Sequence, residues 1–292
     1  RISHIPLNRD DACWLCQYPV LTGFGDAEVG DNLMLTPAVV ANRHEVRDIY
    51  ADEDWQSDND IDASLDLRWG INSNTLLNLT VNPDFSTVES DAGQLSINKT
   101  FSLFFTEKRA FFLENNDYFS SNYDLVYTRN IVDPDYGAKL TGTEGKHNYG
   151  IFVTNDTETN FIIPGNTGSN IASLGTESHS GSMRYRYDAN SDWSLGTIGT
   201  FRQADNYHNY VMGFDTKYKL DQSNSFTAQI LTSDTEYPNE LFKDFCNKEG
   251  DDACESPSEV DCNFANCDYS EQVLRTMKSG SFSDQAIKFG FL

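Results

Sequence analysis

Apolar and polar residues alternate with a period of two through much of the chain, which sets successive side chains on opposite faces of a strand. Over 62–70 (DASLDLRWG), Ala63, Leu65, Leu67 and Trp69 take one face, and Ser64, Asp66 and Arg68 the other. After the turn INSN, Leu77, Leu79 and Val81 alternate with Asn78, Thr80 and Asn82, which predicts a hairpin. The pattern returns with Met183, Tyr185 and Tyr187 against Arg184 and Arg186, the turn DANSD, then Trp193, Leu195, Thr197 and Phe201 against Ser194 and Arg202. A third pair sets Tyr210, Met212, Phe214, Tyr218 and Leu220 against Asp215, Lys217 and Lys219, followed by DQSN and by Phe226, Ala228 and Ile230. Shorter candidates at 33–42, 123–129, 136–142, 148–154 and 283–291 bring the expectation to roughly a dozen strands.

Two architectures accommodate such strands. In a soluble β-sandwich the apolar face meets a shared core; in an outer-membrane barrel it meets lipid and the polar face meets the lumen. Three details favour the barrel. The hairpin strands run about nine to eleven residues, near the length a tilted strand needs to cross hydrocarbon. Their apolar faces carry Trp69, Trp193, Tyr185, Tyr187, Tyr210 and Tyr218 near the ends, as an aromatic girdle does. Tight turns (DANSD, DQSN) contrast with long polar connections at 155–180 and 235–270. The reading is an all-β, antiparallel transmembrane β-barrel spanning 1–292 as one domain, or a fragment of a larger barrel. Within it, 1–60 holds the N-terminal lead-in and first strands, 81–119 a distinctive segment and 235–270 a Cys-rich acidic loop. The soluble β-sandwich is the alternative.

Composition narrows the partners. With 21 Lys and Arg against 45 Asp and Glu, the formal charge is -24, and the pI is near 4.3. Nucleic acid is therefore not expected as a partner, because phosphate binding needs a basic surface. No run reaches the roughly 20 apolar residues of a spanning helix, and mean hydropathy is -0.53. The chain starts at Arg1 without a signal-peptide pattern, as expected of a mature or trimmed chain. Six cysteines, Cys13 and Cys16, then Cys246, Cys254, Cys262 and Cys267, lie in acidic, loop-like text and are candidates for disulfides in an oxidising compartment.

Residues 81–119 read VNPDFSTVESDAGQLSINKTFSLFFTEKRAFFLENNDYF. This segment resembles the signature of a bacterial family of unknown function, NPDFxxVExD followed by FFPEKRPFFLExxDxF. In that family a barrel expected in the outer membrane follows a carbohydrate-binding family 9-like domain. Asn82, Pro83, Asp84, Phe85, Val88, Glu89 and Asp91 match the first half. Phe104, Phe105, Glu107 to Arg109, Phe111 to Glu114, Asp117 and Phe119 match the second. Thr106 and Ala110 stand where the family usually has prolines, and the flanking LDLRWGINSNTLLNLTVNPDF, YTRNI and GAKLTG agree with it. The resemblance covers roughly residues 1–155 and implies outer-membrane lipid, a carbohydrate-binding family 9-like domain and other envelope proteins as partners. Family members generally continue beyond position 292, so a fragment is expected.

The candidate site residues are charged. Glu107, Lys108, Arg109 and Glu114, with Asp84 and Glu89 nearby, carry both signs among aromatic anchors and could form a buried network fixing a plug against the wall. A glycosidase pair such as Glu89 with Glu107 is a weak alternative, since a working pair needs a set separation and one raised pKa. No GxSxG, HExxH or phosphate-cradling glycine loop is present, so no catalytic residue is assigned. Residues 52–62 (DEDWQSDNDID) offer Asp52, Asp54, Asp58 and Asp60 as oxygen ligands for Ca²⁺, without the glycine and terminal glutamate of an EF-hand loop. The expected role is passage or capture of a solute in the outer membrane of a Gram-negative cell, porin-like, with a glycan suggested by the family's companion domain. The alternatives are a secreted or periplasmic β-sandwich that binds or cleaves carbohydrate, and a structural subunit of a larger outer-membrane assembly.

Overall fold

The computed structural model describes residues 32–47, 55–85, 105–164, 169–221, 223–238 and 281–291. Ten strands form one antiparallel sheet: β1 (Leu33–Val46), β2 (Gln56–Asn72), β3 (Thr75–Val81), β4 (Tyr136–Glu144), β5 (His147–Asp156), β8 (Ser178–Asp188), β9 (Trp193–Ala204), β10 (Tyr207–Lys219), β11 (Ser225–Glu236) and β12 (Phe282–Phe291). Between β5 and β8 a separate hairpin pairs β6 (Thr159–Pro164) with β7 (Ser169–Leu174). Within the large sheet every strand is hydrogen-bonded to its neighbour in chain order, and β1 and β12 are the two edges. The expected closure is therefore not observed: among the described residues the sheet is open, because β1 and β12 pair with β2 and β11 and not with each other.

The alternation read from the sequence determines the two faces. On one face, Asn78, Lys139, Phe152, Ser182 and Thr200 lie side by side across five strands, and all but Thr200 are buried. The intervening residues point the other way and are largely apolar: Phe214 is 63% exposed, Ile230 56%, Ile287 58% and Phe289 69%. The usual partition is inverted, since polar side chains are covered and large apolar ones are bare. Among the described residues the covering layer is 105–131, which precedes β4. It contains a single helical turn, α1 (Ala110–Leu113), and two 3-10 turns, Asn116–Phe119 and Thr128–Asn130.

Connections sort by end. At one end β2–β3, β4–β5, β8–β9 and β10–β11 are joined by tight turns. Asn190 Oδ1 accepts from the N–H groups of Asp192 and Trp193, and Asp221 Oδ1 from those of Ser223 and Asn224, which is how short Asx side chains hold a reversal. The long connections β3–β4, β5–β8 and β11–β12 all leave the opposite end, where β9–β10 is the short exception. Register sets Tyr218 beside both Trp193 and Phe226, and Phe226 beside Phe291, an aromatic row on the bare face at the tight-turn end.

Two expectations are corrected. Residues 123–129 form no strand; their backbone turns into the covering layer, where the Tyr123 N–H donates to the side chain of Gln229 instead of to a neighbouring strand. The long polar connection expected at 155–180 carries two strands that the alternation did not predict, the β6–β7 hairpin.

Candidate functional site

The covering segment has its own small core. Phe112, Phe119 and Ile131 are buried together with Phe152 of β5, and Phe85, Phe111, Tyr118 and Val126 pack around them. Phe119 meets Phe152 edge-to-face at 5.1 Å. The close approach of Phe111 depends on Gly137 of β4, where a Cβ would stand 2.8 Å from the phenyl ring.

Arg109 lies at the centre of this layer, 4% exposed. Its Nε and Nη2 donate to the two carboxylate oxygens of Glu107 at 2.9 and 2.8 Å. Nη1 donates to the Ile131 carbonyl at 2.6 Å, and Nη2 also to the Thr128 carbonyl at 2.8 Å. The guanidinium faces the Phe112 ring at 4.3 Å and the Phe85 ring at 5.0 Å. Glu107 accepts further bonds from the N–H groups of Lys108 and Arg109 and from the Thr128 hydroxyl. Burial pushes its pKa up, but the hydrogen bonds from Arg109 and Thr128 outweigh that and hold the carboxyl at about 2. This pair ties the start of the segment to its end.

Glu114 works in the other direction, against the sheet. Its carboxylate accepts from Arg68 Nε of β2 at 2.8 Å and from Asn78 Nδ2 of β3 at 2.7 Å. Lys139 of β4 donates to the carbonyls of Phe111 and Glu114, satisfying groups that a helical turn leaves open at its C-terminus. Further along, Asn115 reaches Thr141, Arg184 of β8 donates to the Ser120 carbonyl, Gln229 of β11 bonds Ser121 and Tyr123, and Lys288 of β12 donates to the Asn122 carbonyl. Arg202 of β9 donates to the Asn130 carbonyl, so the segment is fastened to seven strands.

Of the residues singled out in the sequence, Glu107, Lys108 and Arg109 meet in one network, and Glu114 stands apart from it as the contact to the wall. Asp84 is half-buried and lines a cavity with Phe85, Arg68 and Glu114. Glu89, Asp52, Asp54 and all six cysteines lie outside the described residues. Asp58 and Asp60 sit exposed on β2, and among the described residues no three His, Cys, Asp or Glu side chains converge as a metal site. Sequence reasoning missed Lys139, Asn78 and Gln229 as wall contacts. Their signal was present in Asn78 and Lys139 as polar residues on strands whose alternate positions are apolar, but their partners depend on a segment distant in sequence.

A family model described as a domain of unknown function (DUF5916) matches residues 33–160, which run from β1 through the covering segment into β6. No curated protein matches the chain. Among solved structures, the chain is similar to OmpTdeltaL8, a loop L8 deletion mutant of OmpT, an outer membrane protein of Vibrio cholerae. The two share 9% identity at a TM-score of 0.29 over 70% of this chain and 83% of that one.

Proposed function

We propose that this chain forms wall and plug of an outer-membrane β-barrel that passes or captures a solute. The observation that carries the reading is the inverted sheet: large apolar side chains on the bare face, and polar and charged ones beneath the 105–131 segment. In water such a bare face is a large unsatisfied patch; against hydrocarbon it is the favourable arrangement. The strand lengths, the aromatic row at the tight-turn end and the long connections at the opposite end support the same reading. A β-sandwich would instead need a second sheet over Phe214, Ile230 and Phe289, and no described residue supplies one.

The test is the solvent the chain requires. Expressed with an export signal, it is expected to remain with membranes after an alkaline wash and to be monodisperse only in detergent. A monodisperse, detergent-free species overturns the proposal. Reconstituted vesicles then report passage through solute-driven swelling.

A second reading has its own support. Among the described residues β1 and β12 each have one unpaired side, and unpaired edges are templates for pairing with another strand. Closure would then involve further strands of the same wall or of a second chain. Cysteines placed at Val39 and Phe289 are expected to report such pairing as crosslinked products.

A further inference from the structure

At the tight-turn end of the covered face lies a polar cavity of about 570 Å³ between Ser120–Asn122 of the covering segment and the ends of β8, β9 and β10. We propose that it binds a small anion bearing a carboxylate or phosphate group, with Lys217 and Lys219 as the recognising cations and Arg186 beside them. This assigns a ligand class to the solute-binding reading above, on which it rests.

The argument is one of charge left over after pairing. Four cations and three carboxylates line the cavity: Arg184, Arg186, Lys217 and Lys219 against Asp188, Asp192 and Asp215. Arg184 is 5% exposed and fully engaged, holding Asp215 through both terminal nitrogens and the Ser120 carbonyl through Nε. Arg186 pairs with Asp188 at 3.1 Å while 44% of its side chain stays accessible. Neither Lys217 nor Lys219 has a partner for its ammonium among the described residues, and both are exposed. Two lysines therefore face one remaining carboxylate, Asp192. In a chain of formal charge -24 this is a local excess of positive charge, and such an excess in a cleft concentrates the opposite ion.

Register provides the room. On the covered face the β9 residues between the basic strands are Gly196, opposite Arg186 and Asp215, and Ser194, opposite Asp188 and Lys217. Gly196 is covered by the Arg184 guanidinium, so the room lies over Ser194, whose small side chain lines the cavity between Asp188 and Lys217. A carboxylate or phosphate could accept from both ammonium groups, with an arginine donor at the rim.

Titration calorimetry of the whole chain in non-ionic detergent at low salt tests this, with inorganic phosphate and succinate as probes and glycerol as the neutral control. Saturable binding of phosphate or succinate is expected, weakened about tenfold or more in Lys217→Gln/Lys219→Gln and unchanged in Arg43→Gln, which removes a charge from β1. Lys217→Arg/Lys219→Arg keeps the charge and is expected to bind like the parent. No anion binding by the parent, equal binding by the glutamine pair, or loss of binding in the arginine pair each overturns the inference. The membrane reading fails separately: a chain monodisperse without detergent that still binds phosphate sinks that reading alone, and a membrane-inserted chain indifferent to both anions sinks this one.

Discussion

Arg184 on β8 reaches across β9 to hold Asp215 on β10 at 2.5 and 2.8 Å, passing over Gly196. The pair skips a strand, and it can do so only because the residue beneath it has no side chain. A Cβ at Gly196 would stand 2.4 Å from Arg184 Nη1. Gly196→Val is therefore expected to displace the guanidinium and cost about 1–3 kcal/mol. Asp215→Ala leaves a buried cation without its partner and is expected to cost more, about 3 kcal/mol. Denaturant unfolding in detergent checks the order; equal stability of Asp215→Ala and the parent would show that Arg184 finds another partner.

Arg109→Met removes the donor set that closes the covering segment on itself. Glu107 would remain nearly buried, and the Thr128 and Ile131 carbonyls would each lose a partner. Breaking one side of a buried pair costs about 3–5 kcal/mol, which exceeds what a packing-compatible methionine returns. Because the sheet's own ladders are untouched, the loss is expected to show as faster proteolysis within 105–131 and a lower heat-modifiability transition on gels. Unchanged proteolysis would mean that the network is decorative.

Acid should loosen the same segment. The Glu107 carboxyl is held at about 2 in the folded chain against an ordinary value of 4.5. The folded state therefore binds its proton less readily than the unfolded state. Its stabilising contribution is complete above about pH 4.5 and is lost as pH falls through that value towards 2. Glu107→Gln is expected to lower stability at pH 7 and to flatten the dependence of stability on pH between about 2 and 4.5. Parallel pH profiles for the variant and the parent would place the acid sensitivity elsewhere.

Strand faces were legible because burial on one side repeats every second residue. Leu65, Leu67 and Trp69 declared one face of β2 from nine residues of text, and Asp66 and Arg68 the other, the face that bonds Thr80 and Glu114. The segment 104–119 was legible as a unit because its phenylalanines and mixed charges fit neither a strand nor a loop. What it touches was not. Glu114 meets Arg68 and Asn78, 46 and 36 positions earlier, and Tyr123 meets Gln229, 106 positions later. Such pairs follow from strand register and not from local pattern. The same limit explains 123–129, where Tyr123, Leu125 and Tyr127 alternate like a strand but the Tyr123 N–H is taken by the Gln229 side chain and the Tyr127 carbonyl by the Asn130 N–H. The β6–β7 hairpin was overlooked because TNFIIP and SNIASL are short and separated by a turn-rich stretch.

Ile230 offers a substitution whose sign differs between solvents. It lies on the bare face of β11, 56% exposed, in register with Phe214 on one side and Ile287 on the other. On a soluble protein, a lysine at an exposed position is expected to change stability by no more than about 0.5 kcal/mol and to improve solubility. Against the middle of a bilayer, the same lysine costs about 2–4 kcal/mol. Refolding Ile230→Lys into phospholipid vesicles and titrating with denaturant separates the cases. The larger cost is expected here, and Lys288→Ile serves as its counterpart. Lys288 is on the covered face of β12, where its ammonium donates to the Asn122 carbonyl at 2.5 Å. Removing that charge gives nothing to lipid and takes one fastening from the covering segment, so this variant should be destabilised too, though by only about 1 kcal/mol. A lysine tolerated at 230 with no loss in vesicles would mean that the apolar face meets water or protein instead of lipid.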